Sequence, residues 1–383
     1  MGLPALPSPL IWINAGETSG DVHGALLIRD ILRQSPQARI TGMAGPAMRA
    51  AGAVAVARTE ELSVMGFTEV LARIGSITLL LRRLKANLAA ARPDVVVLID
   101  APAFNFRVAR MANELSIPVV YYISPKLWAW RQGRAKFIKE HVDRMVCIFP
   151  FEKEFYARFE VQADYVGHPL LSELTRPELD AIRPDPKRIG VLPGSRRGEV
   201  TALTPVFGQT AEALYDRDDE LRFAAVAAPG VAEKTLRGLW PRHVPLEVLD
   251  ARDRYAHMRE CGFLLAASGT VSMESALLGV PTIVAYRLSP LTFFLAKRFV
   301  KVKYVSLPNI ILDQPVFPEY LQNQATPANL AAQARDWLDH PSRLEDIRRT
   351  LAPLRDILGP PGAAGRAAEI VLETAGRGFN TAR

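Results

Sequence analysis

Residues 262–287, GFLLAASGTVSMESALLGVPTIVAYR, hold a complete strand, turn, helix and strand in twenty-six positions. The apolar run over 263–267 has strand length, and 282–286 resumes that character. Between them Ser268, Gly269 and Thr270 turn the chain and can cap a helix that carries Glu274 one turn in. Gly279 ends that helix and Pro281 blocks its continuation. A helix that opens at the end of a buried strand presents free N–H groups and the positive end of its dipole, which is an anion site. A carboxylate in its first turns can meet sugar hydroxyls. The occupant expected here is a diphosphate-linked sugar.

The same alternation recurs along the chain. In the first half, strands are predicted over 10–14, 40–43, 94–99, 118–123, 145–148 and 163–166, with helices over 22–34, 104–114, 135–141 and 151–159. Within 94–99 the run after Asp94 is continuously apolar, as a strand buried on both faces should be. In the second half, strands at 188–192, 221–225 and 246–249 precede the stretch at 262–287. A loop over 304–311 and helices over 326–339, 341–358 and 363–375 follow it, and GPPG at 359–362 breaks the chain before the last of them. Alternation of this kind gives an α/β fold with parallel sheets covered by helices on both faces. The expected organisation is an N-terminal Rossmann-like domain over 1–171, a Pro- and charge-rich linker over 172–187, a second Rossmann-like domain over 188–358, and a C-terminal helix and tail over 359–383. Ligands of such sheets bind off the carboxyl ends of the strands, so the active site is expected in a cleft that both sheets face.

A chain of 383 residues has room for two or three domains. Its net charge of +7 asks for an anionic partner: nucleic acid, an acidic membrane surface or a phosphorylated substrate. RNA binders cluster Lys and Arg with stacking aromatics in one module, and here the charge is spread, so no nucleic-acid partner is expected. The two cysteines, Cys147 and Cys261, lie in apolar runs and read as buried thiols. The start lacks a basic n-region and a cleavage site, and no uncharged apolar run reaches ~18 residues. The expectation is a cytoplasmic protein peripheral to a membrane. Two basic, apolar stretches could meet that surface. The first, 64–91, reads equally as a core helix running on into a solvated one. The second is the cluster Phe293, Phe294, Lys297, Arg298, Phe299, Lys301 and Lys303.

The chemistry starts from absences. There is no GxxxxGK[ST], HExxH or GxSxG, and the one GxG, Gly376 to Gly378, has no strand before it. The six histidines show no metal spacing, and Asp216-Arg217-Asp218 sits in the charge run YDRDDE, which reads as a solvated turn. Neither a metal nor a cofactor is expected. In LPGSRRGEV at 192–200, Gly194 lets the backbone approach an anion, Ser195 can cap, and Arg196 offers a fork of donors to phosphate oxygens. In AGETSGD at 15–21, Gly16 and Gly20 allow close approach, Ser19 and Asp21 can cap a helix, and Glu17 can meet substrate hydroxyls. The alternatives are an ordinary strand-to-helix turn with a surface arginine for the first set and a capped turn for the second. Asp100 ends the most apolar strand, where a carboxylate can take a proton from an attacking hydroxyl, or can merely cap the next helix. Trp128 and Trp130 in SPKLWAWR are either core or a face for sugar and lipid, and His168 in GHP is a hinge or a polar contact.

Taken together, AGETSGD, IDAPAFN, YYISPKLWAWRQGR, FPFEKEFY, GHPL, LPGSRRGEV, ASGTVSMESALLGVPTIVAYR and YVSLPNII, in this order over roughly 11–321, resemble the lipid-A-disaccharide synthases. The resemblance implies the GT-B fold and an inverting transfer without metal. The donor would be UDP-2,3-diacylglucosamine and the acceptor 2,3-diacylglucosamine 1-phosphate. The products would be the β-1,6-linked tetraacyl disaccharide 1-phosphate and UDP. It implies a place on the inner face of the Gram-negative inner membrane, in contact with its lipid, and it is compatible with a homodimer. Asp100 stands at the family's position for the base, Arg196 would meet the leaving diphosphate, Glu274 would hold the uridine ribose, and Asn309 would sit beside the donor. Ala103 departs from the pattern, because many relatives carry an acid there, so Asp100 must act alone or with another group. Other GT-B UDP-sugar enzymes, a lipid-linked GlcNAc transferase or a UDP-GlcNAc epimerase, are the next reading. A basic membrane- or RNA-binding protein is a third.

Overall fold

The computed structural model describes residues 8–63, 74–129, 131–227, 231–287 and 303–377, which form two compact units, 1–169 with 358–383 and 170–357. In the first unit the chain runs β1 (Leu10–Ala15), α1 (Thr18–Gln34), β2 (Arg39–Ala44), α2 (Pro46–Ala50), β3 (Val54–Arg58), α3 (Glu60–Ser63) and α4 (Ile74–Ala91). It continues through β4 (Val95–Ile99), α5 (Pro102–Glu114), β5 (Val119–Tyr122), α6 (Ala135–His141), β6 (Arg144–Cys147), α7 (Pro150–Ala157) and β7 (Ala163–Tyr165). The seven strands lie in the order β3-β2-β1-β4-β5-β6-β7, and their pairings are parallel. All five residues of β4 are buried. A strand covered by helices on both faces has no polar side to present, which is why Val95–Ile99 reads as one apolar run.

The second unit holds α8 (Leu170–Leu174), α9 (Pro177–Asp180), β8 (Asp185–Leu192), α10 (Arg197–Tyr215), β9 (Arg222–Val226), α11 (Glu233–Gly238), β10 (Leu246–Leu249) and α12 (Arg254–Arg259). Then come β11 (Cys261–Ala267), α13 (Thr270–Leu277), β12 (Thr282–Tyr286), α14 (Leu307–Leu312), β13 (Glu319–Leu321), α15 (Pro327–Asp339), α16 (Pro341–Leu351) and α17 (Leu354–Ile357). Its sheet order is β10-β9-β8-β11-β12-β13, again with parallel pairings. The core around β8 and β11 is built from Ile189, Val191, Phe263 and Leu265 with Phe207, Trp240 and Trp337.

The last helix, α18 (Ala363–Arg377), returns to the first unit and packs on α1. Ala363, Ala364, Ala367, Ala368, Val371 and Ala375 are its buried face, and such small side chains let two helix backbones approach closely. Arg366 locks the approach. Its guanidinium donates to the carbonyls of Val166 (2.7 Å) and Pro360 (2.7 Å).

Several boundaries differ from the sequence expectation. Residues 172–187 carry parts of α8 and β8 and all of α9. The loop predicted over 304–311 overlaps α14, whose Pro308 sits in the first turn, where a missing N–H costs nothing. The single helix predicted over 341–358 breaks between α16 and α17, at Pro353, which cannot donate to the turn before it. The membrane-facing candidates 64–73 and 293–302, and Trp130, lie outside the described residues.

Candidate active site

At the carboxyl edge of the seven-stranded sheet, β4 ends in two consecutive left-handed residues, Asp100 (φ 46°) and Ala101 (φ 44°). Side chains with a Cβ rarely adopt this conformation, and it costs of order 1 kcal/mol or more per residue, so the surroundings must hold it. They do so through the backbone oxygens. Asn105, from the first turns of α5, donates its amide to the carbonyls of Ile99 (3.0 Å) and Asp100 (2.8 Å). The Tyr121 hydroxyl donates to the Asp100 carbonyl (2.5 Å). Asn14 of β1 in turn donates to the Asn105 side-chain oxygen (2.7 Å), and both asparagines are fully buried. Gly16 completes the support by close approach. A Cβ there would lie 2.5 Å from the Ala101 Cβ.

The carboxyl group set up by this turn is unusual in its acidity. Burial, and then the neighbouring Glu17 carboxylate, push Asp100 up to about 6, while Lys126 pulls the other way. Glu17, in the segment after β1, and Lys126, in the segment after β5, are thus both near enough to act on the Asp100 charge. Nothing in the sequence singles out Lys126 as a site residue, although it lies in the SPKLWAWR motif. A second network fixes that motif. Glu152 of α7, fully buried and raised to about 7 by burial, accepts from the Trp128 indole N–H (3.1 Å) and from the backbone N–H of Phe149 (3.2 Å). Ser124 and Tyr156 share a hydrogen bond of 2.9 Å beside it. Trp128 is therefore a structural tie. His168 packs on Phe149 with ring centroids 5.1 Å apart, and burial, with His23 and Lys126 adding, lowers it to about 3, so its ring is neutral.

The remaining AGETSGD residues divide. Helix α1 begins at Thr18 with Glu17 as its N-cap, so neither Ser19 nor Asp21 caps it. Ser19 is exposed at its first turn and Gly20 is buried beneath it. Asp21 is buried and its carboxylate is committed elsewhere. It accepts the backbone N–H groups of Ala47 (2.8 Å) and Met48 (3.0 Å), closing the N-terminus of α2.

At the carboxyl edge of the six-stranded sheet, Gly194 turns the chain after β8 with φ 117°, and α10 begins at Arg197. Glu199 fills the mouth of this turn. One oxygen accepts from the backbone N–H of Ser195 (3.2 Å) and Arg196 (3.3 Å), and the other meets the Arg196 guanidinium (3.3 Å). The donors expected to meet an anion here thus hold an internal carboxylate. After β11, Gly269 is the N-cap of α13 and no side chain caps that helix, so Ser268, Gly269 and Thr270 form an open helix N-terminus. Glu274 is buried, and its Oε1 accepts from the Arg254 guanidinium (2.8 Å). Tyr255, within reach of the same Arg254 nitrogen, donates to Glu173 (3.0 Å). Asn309 is fully buried and its amide is used on both sides. It donates to the Phe317 carbonyl (2.8 Å) and to Glu319 (2.9 Å), and accepts from the Phe317 N–H (2.8 Å). It joins α14 to the segment entering β13. In the YDRDDE run, Arg217 pairs with Asp339 and Asp218 with Lys187. Among the described residues no group of three His, Cys, Asp or Glu side chains is placed to hold a metal ion.

A sequence model of the lipid-A-disaccharide synthetase family matches residues 11–352. The chain belongs to that family. It is 41% identical over 382 residues to the lipid-A-disaccharide synthase of Geobacter metallireducens, covering 97% of this chain and 98% of that one. It is 39% identical over 381 residues to the synthase of Neisseria meningitidis serogroup B, covering 96% and 98%. Among solved structures, the UDP-GlcNAc 2-epimerase of Neisseria meningitidis bound to UDP-GlcNAc superposes with a TM-score of 0.62 at 13% identity, over 96% of this chain and 99% of that one. The calicheamicin glycosyltransferase CalG4 gives 0.60 at 18% identity, over 97% and 99%. At these identities the structures establish the fold, which is GT-B. Within the family frame the Asp100 turn and the two helix N-termini of the second unit occupy the carboxyl edges where Rossmann-like sheets take ligands.

Proposed function

We propose that this chain joins UDP-2,3-diacylglucosamine to 2,3-diacylglucosamine 1-phosphate, with inversion, giving the β-1,6-linked tetraacyl disaccharide 1-phosphate and UDP. The observation that carries the reading is the Asp100 carboxyl group. It is held on a strained, over-determined turn and has an affinity for protons matched to a base working near neutrality. Asp100 takes the proton of the acceptor's 6-hydroxyl as that oxygen attacks the donor's anomeric carbon. The bond to UDP breaks, and Asp100 is left protonated. The first unit takes the acceptor, with Glu17 and Ser19 at its hydroxyls and Gly16 and Gly20 letting the segment that carries them pack closely on Ala101 and Ile99. The second unit takes the donor.

There the open N-terminus of α13 at Ser268, Gly269 and Thr270, with Ser195 and Arg196, offsets the charge of the leaving diphosphate. Arg196 meets it only when its fork turns from Glu199. The Glu274 oxygen not engaged by Arg254 holds the ribose. Asp21 and Asn309, whose groups are committed to α2 and β13, act as positioning residues. Ala103 leaves Asp100 as the one carboxylate of its turn. No helix among the described residues is long and apolar enough to cross a membrane. Contact with lipid on the inner face of the inner membrane is part of the proposal.

The purified chain, given both acylated substrates in detergent, is expected to release UDP and form disaccharide in equal amounts. No product beside an active homologue in the same assay would remove this assignment.

A further inference from the structure

One face of α5 gathers aromatic and basic side chains around a recess. Ala103, Phe106, Arg107 and Arg110 stand at i, i+3, i+4 and i+7 on one helix face and line an open recess of about 320 Å³ with Arg134 and Phe137. The floor is aromatic. Phe106 stacks on Phe137 with centroids 4.4 Å apart, and Phe137 stacks on His141 at 4.1 Å. Two guanidinium groups lie over these rings, Arg110 at 5.1 Å from the Phe137 centroid and Arg134 at 5.8 Å from that of Phe106. Among the described residues none of the three arginines is paired with a carboxylate. Arg134, half-buried, is lowered by burial and by Arg131, with no acid raising it.

Other arginines of the chain are neutralised by a neighbour. Arg49, Arg83, Arg217 and Arg355 each lie against an Asp or Glu. Three forks around one recess, two of them over its stacked apolar floor, repel one another unless an anion joins them, and a guanidinium fork matches phosphate geometry. The recess opens on the first turn of α5, two to three residues beyond Asp100. Ala103 is small and neutral at its rim. An acidic side chain there would both narrow the recess and neutralise an arginine.

We propose that this recess is the subsite for the phosphate of the acylated sugar acceptor, with Arg107, Arg110 and Arg134 on the phosphate oxygens and Phe106 and Phe137 against hydrocarbon. The assignment rests on the acceptor named under the proposed function. It adds which residues take the acceptor's charged end.

The test is binding to the full chain, measured by equilibrium dialysis in detergent with 2,3-diacylglucosamine 1-phosphate and with its dephosphorylated analogue. The Arg110→Gln, Arg134→Gln double variant is expected to bind the phosphorylated ligand at least about tenfold more weakly, since each hydrogen bond to a charged partner carries about that factor. The analogue should bind wild type and variant alike. Ala103→Glu, at an exposed position, is expected to weaken the phosphorylated ligand in the same selective way. Equal binding of the phosphorylated ligand by wild type and both variants would overturn the proposal, as would equal losses for the two ligands. Displacement by inorganic phosphate or by phosphatidic acid vesicles as effective as by the acceptor would also overturn it, by assigning the recess to free phosphate or lipid headgroup. UDP release in the same preparations separates the two ideas. Selective phosphate binding without UDP release leaves the subsite and removes the transferase. UDP release unaffected by the variants does the reverse.

Discussion

Asp100 is worth more to chemistry than to stability, and its acidity shows why. In an unfolded chain an aspartate loses its proton near pH 4, whereas here burial and Glu17 hold it to about 6. Between those values the native protein keeps a proton that the unfolded chain has released. Stability from this group therefore falls as pH rises through that window and stays lower above it, by at most about 3 kcal/mol. Asp100→Asn removes the cost and keeps a residue type that tolerates the left-handed turn. The expected outcome is a variant at least as stable as wild type at pH 7.5, with the difference gone at pH 4, read by denaturant melts. Its turnover should fall by about 10²–10⁴, the usual share of a general base, with UDP affinity unchanged. Wild-type kcat/KM should lose about tenfold per pH unit below pH 6 and level off above it. A flat profile down to pH 5 would take the proton away from Asp100.

The elements show what the sequence could and could not disclose. Asp100 is visible because a carboxylate closes an unbroken apolar run. The residues that make its turn are not, because Asn14 and Asn105 meet across 91 positions and nothing local marks either one. Glu152 and Arg254 are hidden for the same reason. Each answers a partner on a different element. Strands buried on both faces declare themselves, while β3, with Val54 70% exposed, and β13, with no buried residue, lack that pattern. The Asn105 network belongs to this scale. Asn105→Ala takes a donor from the Ile99 and Asp100 carbonyls, the second of which keeps Tyr121, and strands the Asn14 amide, and is expected to cost about 1–3 kcal/mol. Turnover should fall while UDP affinity stays within about twofold. At α10, Glu199→Ala frees the N–H groups of Ser195 and Arg196 and the Arg196 fork. Losing this cap should cost about 1 kcal/mol of stability. UDP should bind several-fold more tightly, by calorimetric titration, if those donors serve the diphosphate, and unchanged affinity would place UDP elsewhere.

At the scale of the molecule, the two units differ in how they are written into the chain. The second is continuous, 170–357, and the first is interrupted, needing 358–383 to complete it. The chain leaves the first unit just after His168, whose N–H donates to the carbonyl of Leu358 (3.2 Å), so exit and return are pinned together. Beyond that point α18 buries its row of alanines and Val371 on α1, and Arg366 satisfies the Val166 carbonyl. Removing this helix would expose roughly 5 kcal/mol of apolar contact, a large part of the ~5–15 kcal/mol that a domain has in reserve. A fragment ending at Ile357 is therefore expected to keep a folded second unit and lose the first. The fragment 170–357 alone holds both helix N-termini assigned to the diphosphate, together with Glu274 and Arg254. It should melt cooperatively and bind UDP, while 1–169 should stay unfolded until 358–383 is restored by fusion. Calorimetry and UDP titration of the three fragments decide it. A cooperative melt of 1–169 alone would mean that α18 is an accessory to that unit, and a folded 170–357 that ignores UDP would remove the donor assignment from it.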